Sequence, residues 1–558
     1  MAVLCARQGG DDEDPCPNDA TKVCSHCHLV AYCSSTCQRR SWKSHKRICK
    51  SDLSLPFWLP DWAREERPPS FLGQDEHDKY LMADLLSKYV WGNVPALDIV
   101  QLSSNEGTDY AGDLAVLFAA SGDFRCALKT LAALPQSFKG AFTLAINDRE
   151  PDIVFRNVIS MLLLTSDHPL SIDTLIHVWY SARLRPDHVA LLDSVVKPLV
   201  HDVVNKTHGA HEDRLLSKTV KSGTSHLRII LTRGQWCYMH KRLSTPMDSD
   251  QAHANRYRVL NARKDHLHRI YTAITSDCHR RLAMEKFRDR GILLPYGSPD
   301  EAFTIPNFTL YDAKGTWLAR EFADPQEGWD PTDRTTHSHP THLPGLTNDT
   351  YGQLHHMLHT LTHLAETSLL SRPTTIVLSC TDATALRTTH PTTKFDRLDV
   401  SNASDAGYLG TSRTLLLARD LLNRTNPHAT LLTLYLNAIP NTVTAEQTIA
   451  TAALGPAVLK LLPELGRNMM QLVVFTEFAG KCALPFDEIW ETYTQRIRFG
   501  EAARQAGMRV KEGHTLVEKW PYRVRFEAGD PVVMEGFWRR LGSGLSGCER
   551  YVEWRVDA

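Results

Sequence analysis

The sequence lacks an excess of charge of either sign. Its 558 residues include 63 lysines and arginines and 64 aspartates and glutamates, which gives a formal net charge of −1 at pH 7. Proteins that bind nucleic acid or membrane surfaces usually show a basic balance. Overall charge therefore gives no reason to expect either partner, and a composition with 42% hydrophobic and 23% charged residues is that of an ordinary globular protein.

Long apolar runs are also missing. The sequence begins Met-Ala-Val-Leu-Cys, without the basic flank and apolar stretch of a secretory signal peptide. The longest apolar region, at 153–164, is interrupted by Arg156 and Asn157 and is too short to span a bilayer. Six cysteines are scattered without paired spacing: Cys126, Cys237, Cys278, Cys380, Cys482 and Cys548. That scatter suits a reducing compartment, so we expect a protein of the cytoplasm or nucleus.

Several catalytic motifs are absent from the sequence. It contains no Gly-x-Ser-x-Gly nucleophile elbow, no phosphate-binding loop ending in Gly-Lys-Ser or Gly-Lys-Thr, and no His-Glu-x-x-His helix. A loop with His337, His339 and His342 lies among threonines and prolines, where an exposed segment is a better interpretation than a metal site. These absences argue against the common hydrolase, nucleotide-binding and metalloprotease classes.

The first fifty residues are rich in cysteine. They contain seven of the thirteen cysteines, and a histidine lies four residues before the last of them: Cys5, Cys16, Cys24, Cys27, Cys33, Cys37, His45 and Cys49. Eight thiolate and imidazole ligands are the number that two tetrahedral zinc sites require. A segment of this length cannot bury enough apolar surface to fold alone, so metal binding would supply the folding free energy. A disulfide cluster is the alternative, but no other feature suggests export.

The residues between these ligands resemble a MYND zinc finger. The matching residues are Ala31-Tyr32-Cys33-Ser34, Cys37-Gln38, Trp42 and His45-Lys46. In that family the ligand pairs interleave, which implies one zinc on Cys5, Cys16, Cys33 and Cys37 and a second on Cys24, Cys27, His45 and Cys49. Cys5 and Cys16 lie farther apart than the first pair of the family, with an acidic loop at 9–14 between them, so His26 and His28 are alternatives to Cys5.

The resemblance also implies a peptide-binding surface. MYND fingers that bind partners take up short proline-containing peptides, and the residues that line their groove correspond to Gln38 and Trp42. An exposed tryptophan beside a zinc-held strand is a rigid platform for an extended peptide, although Trp42 could equally be core in so small a domain. Four basic residues form a rim that could attract an acidic peptide or fold back on the acidic loop: Lys43, Lys46, Arg47 and Lys50.

The rest of the sequence alternates between short apolar runs and amphipathic stretches. Strands buried on both faces are apolar throughout, and helices cover them in parallel sheets. The predicted strands are 113–120, 140–146, 374–380, 396–402 and 429–436, and the predicted helices include 78–90, 124–134, 152–166, 353–369, 415–422 and 489–506. Right-handed crossovers would join these strands into one parallel sheet, so we predict a Rossmann-like α/β body.

The segment at 200–300 is predicted to be a helical insertion without a strand. Within it, the stretch from Arg256 to Arg290 is basic, which we interpret as a solvated helix surface rather than a nucleic-acid-binding face. The predicted division is a finger at 1–50, a proline- and tryptophan-rich linker at 51–77, body segments at 78–199 and 301–480 on either side of the insertion, and a mixed C-terminal region at 481–558. Proline density in the linker excludes long helices, and its tryptophans should pack onto the body.

The body also resembles a known family. The stretches 113–134, Asn147-Asp148-Arg149-Glu150 and Trp179-Tyr180-Ser181 are similar to an uncharacterised domain at the N-terminus of dynein axonemal assembly factor 3, which also occurs behind a MYND finger in a family of fungal proteins. Stretches at 395–402, 405–410 and 426–430 resemble the same fungal family. No biochemical activity is established for that family, so the resemblance implies a shared fold and only by analogy an assembly role.

Two functions fit these observations. In the first, the finger binds two zinc ions and recruits a protein or peptide partner, and the body is a non-catalytic scaffold with a degenerate methyltransferase-like sheet. In the second, the body is an S-adenosylmethionine-dependent methyltransferase, with Gly122 beneath the cofactor and Asp148 on its ribose. A methyltransferase loop normally carries several glycines, whereas here bulky Phe124 and Arg125 follow the one glycine. We favour the first function and expect neither a membrane nor a nucleic-acid partner.

Overall fold

The computed structural model describes residues 3–7, 15–56, 58–70, 88–273, 278–336, 343, 345–452, 486–517 and 549–557. Three features of the sequence analysis lie outside these residues. They are the acidic loop at 9–14, most of the helix predicted at 78–90, and His337, His339 and His342.

The strands fall into two small pairs and one large sheet. In chain order they are β1 Lys22–Val23, β2 Ala31–Tyr32, β3 Leu114–Phe118, β4 Phe142–Asp148, β5 Arg183–Leu184, β6 Leu215–Ser222, β7 Ser225–Thr232, β8 Ile305–Pro306, β9 Thr374–Cys380, β10 Arg397–Asp399, β11 Thr430–Tyr435, β12 Met508–Val510 and β13 Arg550–Val556. β1 pairs with β2 in the finger, β5 pairs with β8, and the remaining strands form the large sheet.

The helices cover this sheet and extend beyond it. They are α1 Ser35–Cys49, α2 Asp61–Arg64, α3 Arg125–Ala133, α4 Pro151–Leu164, α5 Ser171–Tyr180, α6 Pro186–Val195, α7 Lys197–Lys206, α8 Arg233–Ser244, α9 Ser249–Leu260, α10 Lys264–Ala273, α11 Arg280–Arg290, α12 Pro331–Thr336, α13 Thr350–Ser371, α14 Leu386–Thr389, α15 Thr411–Leu421, α16 Ala445–Ala452, α17 Phe486–Arg496 and α18 Phe499–Ala506. Among the described residues, no helix combines the length and the apolar character needed to cross a membrane.

The large sheet has the order β12-β13-β11-β10-β3-β4-β9-β7-β6. The six strands from β11 to β7 in this order are parallel to one another, whereas β6 and β13 run antiparallel to their neighbours. β3 therefore lies at the centre, with β4 on one side and β10 on the other. Leu114, Val116 and Phe118 of β3 face one apolar core and Leu117 faces the other, as expected for a strand buried on both faces.

The predicted parallel sheet is confirmed at β3, β4, β9, β10 and β11, but the segment at 200–300 is not wholly helical. It contains the hairpin of β6 and β7, and β7 pairs in parallel with β9. Gly223, which has a φ of 55°, makes the turn of this hairpin possible because a residue without a Cβ accepts the left-handed conformation. The helix predicted at 489–506 is also divided, since Arg498 has a φ of 52° between α17 and α18.

The basic stretch from Arg256 to Arg290 is a solvated surface only in part, since Arg258, Lys264 and Arg290 are exposed but three other cations are not. Arg256, Arg263 and Arg281 are all buried. The guanidinium of Arg281 donates to the carbonyl oxygens of Leu53 (3.0 Å) and Leu55 (2.8 Å), so it fastens the linker to the body. Backbone carbonyls likewise accept from Arg256, and the carboxylate of Glu321 accepts from Arg263. Such partners replace water, which is the condition for burying a polar group without a large loss of free energy.

The linker and the finger pack directly onto the body. Both tryptophans of the linker, Trp58 and Trp62, are buried, as predicted. Cys27 and Tyr32 of the finger belong to the same continuous apolar core as Leu354 of the body. The finger is therefore held in one position relative to the sheet.

Candidate metal centre in the N-terminal finger

The finger is built from the short hairpin of β1 and β2, followed by α1. Ser34 begins the helix, because its side chain accepts a hydrogen bond from the amide of Cys37. His45 and Cys49 are four residues apart on α1 and therefore lie on the same face, where both are buried. The chain reverses after Cys27 through His28, which has a φ of 53°. These local features bring the predicted ligands toward two points.

The first point is surrounded by Cys5, Cys16, Cys33 and Cys37. Their sulfur atoms all lie within 4.8 Å of one another. The Cys33 and Cys37 sulfurs are 3.5 Å apart, and the sulfur of Cys16 is 3.7 Å from that of Cys33 and 3.9 Å from that of Cys37. Zinc–sulfur bonds of about 2.3 Å at tetrahedral angles place sulfur atoms about 3.8 Å apart. The spacing fits a zinc ion at the centre.

The second point is surrounded by Cys24, Cys27, His45 and Cys49, all of which are buried. The Nε2 atom of His45 is 3.4 Å from the sulfur of Cys24 and 3.7 Å from that of Cys27, and the Cys24 and Cys49 sulfurs are 3.9 Å apart. All the described cysteines are free thiols, so the disulfide alternative finds no support. Three thiolates and one imidazole are a donor set that suits zinc.

The two histidines considered as alternatives to Cys5 are directed elsewhere. His28 donates its Nδ1–H to the carbonyl oxygen of Gly345 (2.9 Å). The ring of His26 packs edge-on against the ring of His279, with 5.0 Å between their centroids. Cys5 instead lies with the other three cysteines of the first cluster. The long spacing between Cys5 and Cys16 is therefore compatible with one shared site.

Two body residues that the sequence analysis missed bind the backbone of candidate zinc ligands. Asn348 donates its side-chain amide to the carbonyl oxygen of Cys27 (2.9 Å). His279 donates its Nε2–H to the carbonyl oxygen of Cys49 (3.1 Å), and both residues are buried. Such contacts fix the orientation of ligands around a metal. Neither residue carries a signal in the sequence, because each partner is a backbone atom more than two hundred positions away.

Gln38 and Trp42 lie on successive turns of α1. Trp42 keeps 39% of its surface exposed, and Gln38 is half-buried. The centroid of the Trp42 ring is 5.8 Å from that of His45, so the indole lies beside one ligand of the second cluster. Lys43, Lys46, Arg47 and Lys50 are all exposed around it. This face of the finger therefore offers an exposed aromatic ring bordered by positive charge.

Gly122 and Asp148 lie together at the carboxyl ends of β3 and β4. Gly122 has a φ of 56° and donates its amide to Oδ2 of Asp148 (2.9 Å), while Oδ1 accepts the amide of Glu150 (2.9 Å). Burial raises the pKa of Asp148, and these backbone amides act against that effect. In this arrangement Asp148 joins the two loops that leave the sheet, which is a structural use of its carboxylate.

Comparison with known families identifies two segments of the chain. The MYND finger family matches residues 13–49, and the family described as a domain of unknown function (DUF4470) matches residues 90–184. A MYND finger is a zinc site, and such fingers typically mediate protein interactions. The match begins after Cys5, so the placement of this cysteine comes from the structure alone. The second family carries no assigned activity.

Similar proteins share only short segments with this chain. A SET and MYND domain-containing protein of Dictyostelium discoideum is 51% identical over 35 residues, which is 6% of each chain. Protein CBFA2T2 of Xenopus laevis is 34% identical over 55 residues, which is 9% of each chain. The chain thus covers only a small part of the length of either relative. No solved structure matches it.

Proposed function

We propose that this protein is a zinc-dependent interaction protein, in which the MYND finger recruits a proline-containing peptide and the body is a non-catalytic scaffold. The finger holds two zinc ions, one on Cys5, Cys16, Cys33 and Cys37 and one on Cys24, Cys27, His45 and Cys49. The geometry of both clusters supports this assignment, since their ligand atoms have the separations that tetrahedral zinc requires.

The exposure of Trp42 is the observation that carries the proposal. Tyr32 and His45 of the same small domain are buried, so the finger has a core that does not require the indole of Trp42. An exposed tryptophan on a rigid support is a typical anchor at protein interfaces, because its contact area is large and it loses little conformational entropy on binding. Gln38, one turn before it, supplies a neighbouring amide that both donates and accepts hydrogen bonds.

The structure favours side-chain contacts on α1 over addition of a strand to β2. The carbonyl oxygen of Ala31 in β2 already accepts the amide of Ala6 (2.9 Å), and that of Tyr32 accepts the amide of Thr21 (2.9 Å). A peptide bound beside Trp42 would instead meet Lys46 and the other exposed cations of the helix. The partner class is therefore a proline-containing peptide with acidic flanking residues.

A peptide-display selection on the full chain tests this function. Enriched sequences should contain proline and acidic residues, and they should bind the zinc-loaded protein but not the Trp42→Ala variant. An Arg47→Ala, Lys50→Ala variant should bind the same peptides more weakly at low salt and equally at high salt. Selection of peptides that bind the Trp42→Ala variant as tightly as the wild type would place the binding surface elsewhere.

One observation favours the alternative function, a methyltransferase. Part of the large sheet corresponds to the order 3-2-1-4-5-6 of dinucleotide-binding sheets. The corresponding strands are β9-β4-β3-β10-β11 and then β12, which lies beyond the antiparallel β13. In such sheets the ligand binds where the order reverses, here between β3 and β10. Ser401, the second residue after β10, has a φ of 50°, and strained residues of this kind often occur at functional sites.

Calorimetric titration with S-adenosylmethionine and its demethylated product separates the two functions. Binding at micromolar concentration that is lost in Asp148→Asn, with the fold retained, would establish a cofactor site. The absence of heat and of a thermal shift at millimolar ligand would support the scaffold. The hydrogen bonds of Asp148 to two backbone amides favour the second result.

A further inference from the structure

A second group of potential metal ligands lies in the body, outside the finger. Asp173 and His177 are four residues apart on α5, and His355 and His359 are four residues apart on α13. This spacing places both members of each pair on one face of their helix. The three histidines are buried, and Asp173 is largely buried between them. The two helices thus bring three imidazoles toward one carboxylate.

The distances fit a shared cation. Oδ1 of Asp173 is 3.6 Å from Nε2 of His177 and 4.0 Å from Nε2 of His359. The ligand atoms of Asp173, His355 and His359 all lie within 4.8 Å of one another. Metal–nitrogen and metal–oxygen bonds of roughly 2.1 Å at tetrahedral angles place ligand atoms about 3.4 Å apart. A small contraction of Asp173, His355 and His359 would place them in one coordination sphere, which His177 completes only if its ring moves toward the other two histidines.

Four imidazole nitrogens in this group have no hydrogen-bond partner among the described residues. Within the described part of the chain, Nε2 of His177, Nε2 of His359 and both ring nitrogens of His355 make no hydrogen bond. Buried polar atoms are nearly always paired, so this many unpaired nitrogens around one carboxylate indicate a ligand that binds between them. Nδ1 of His177 lies 2.9 Å from Oγ of Ser181. A ring that donates Nδ1–H to a neighbour and directs its Nε2 lone pair inward is typical of a metal-binding histidine.

The other oxygen of Asp173 is held in place. Oδ2 accepts hydrogen bonds from Nη2 of Arg185 (2.8 Å) and Nε2 of His188 (2.9 Å). Both donors lie outside the group of unpaired nitrogens. They fix the carboxylate so that Oδ1 is directed toward His177 and His359.

A cleft of about 860 Å³ borders this group. Asp173, His355 and His359 line it, together with Arg185 and with Leu4 of the finger. We propose that Asp173, His355 and His359 form a third metal site, with His177 beside Asp173 as a fourth ligand that closes on the ion, and that the site binds a divalent transition metal of the zinc class at the wall of this cleft. Imidazole and carboxylate are donors that zinc and its neighbours in the first transition series accept. Position on the cleft wall gives the ion access from solvent.

Metal stoichiometry of the full chain tests the site. The zinc-saturated wild type should contain about three ions by native mass spectrometry, and His359→Ala should contain about two. His363→Ala is the matched control, because His363 lies on the next turn of the same helix, lines the same cleft and is largely exposed. It should retain about three ions. About two ions in the wild type after zinc saturation would overturn the proposal.

Cobalt spectroscopy of the wild type provides a test that does not depend on a variant folding correctly. Cobalt is added to protein whose finger is already filled with zinc. Cobalt bound by nitrogen and oxygen ligands should show d–d absorption without a thiolate-to-cobalt charge-transfer band, and His359→Ala should lose that absorption. A charge-transfer band alone would place the cobalt in the finger, and no absorption would show that the histidines bind no metal; either result would refute the site. A loss of signal that is equal in His363→Ala would do the same.

Discussion

Replacement of Trp42 by alanine should weaken peptide binding strongly. The indole has 39% of its surface exposed. A tryptophan buries up to about 250 Å² in a full contact, so a bound peptide can cover about 100 Å² of this ring. At about 25 cal/mol per Å² this area corresponds to about 2.5 kcal/mol. The expected loss of affinity is therefore about 60-fold.

The assay is fluorescence anisotropy of a labelled peptide obtained from the display selection, titrated with zinc-loaded full-length protein. Ile48 provides the matched control, because it lies on the same helix, is 38% exposed, and faces a different direction six positions later. Ile48→Ala should leave the dissociation constant unchanged within about twofold, since surface changes away from a contact have small effects. Equal losses for Trp42→Ala and Ile48→Ala, or no loss for either, would refute the assignment of this surface. Zinc content should be the same in all three proteins, and binding is measured well below the unfolding midpoint of each.

Three further predictions concern the stability of the fold and the retention of zinc. Glu106→Ala should lower the free energy of unfolding, measured in urea, by about 3–5 kcal/mol. The carboxylate of Glu106 lies 2.7 Å from the buried guanidinium of Arg397, which would lose its counter-charge. A loss below about 1 kcal/mol would contradict this prediction. Burial raises the pKa of Asp399 to about 6, above an unfolded value of about 3.9. Between about pH 3.9 and about pH 6 the folded protein therefore binds a proton that the unfolded chain does not, and the free energy of unfolding falls as the pH rises through 6. Asp399→Asn should accordingly raise the unfolding temperature at pH 8 more than at pH 4. Asn348→Ala should speed zinc release to a chelator, since it removes a hydrogen bond to Cys27 worth about 1 kcal/mol; an unchanged rate would show that the finger does not depend on this contact.

The central strands could be predicted because strands buried on both faces are rich in apolar residues. β9 was predicted with its observed bounds at 374–380, since a strand with helices on both faces is apolar at nearly every position. The hairpin of β6 and β7 gave a weaker signal. β6 alternates between exposed and half-buried positions, and its partner β7 joins β9 from a distant part of the chain. Alternation around Gly223 was the available indication of a hairpin.

The zinc clusters could be predicted from spacing because a metal needs a fixed number of ligands of known type. Their attachment to the body could not, since Asn348 and Cys27 are 321 positions apart and the acceptor is a backbone carbonyl. The same limit explains the error at Arg281, whose charge suggested solvent. A sequence shows where cations are, but it does not show which carbonyl oxygens a fold will direct toward them.

The docking of the finger links its metal content to the stability of the body. Zinc binds the folded finger more tightly than the unfolded chain, so it stabilises every structure that requires the folded finger. Cys27 and Tyr32 share one apolar core with Leu354 of α13, and Asn348, just before that helix, holds the Cys27 carbonyl. Loss of zinc should therefore disturb the N-terminal part of α13, which carries His355 and His359. A peptide captured at Trp42 would, for the same reason, be held at a fixed position relative to the sheet rather than on a freely moving module.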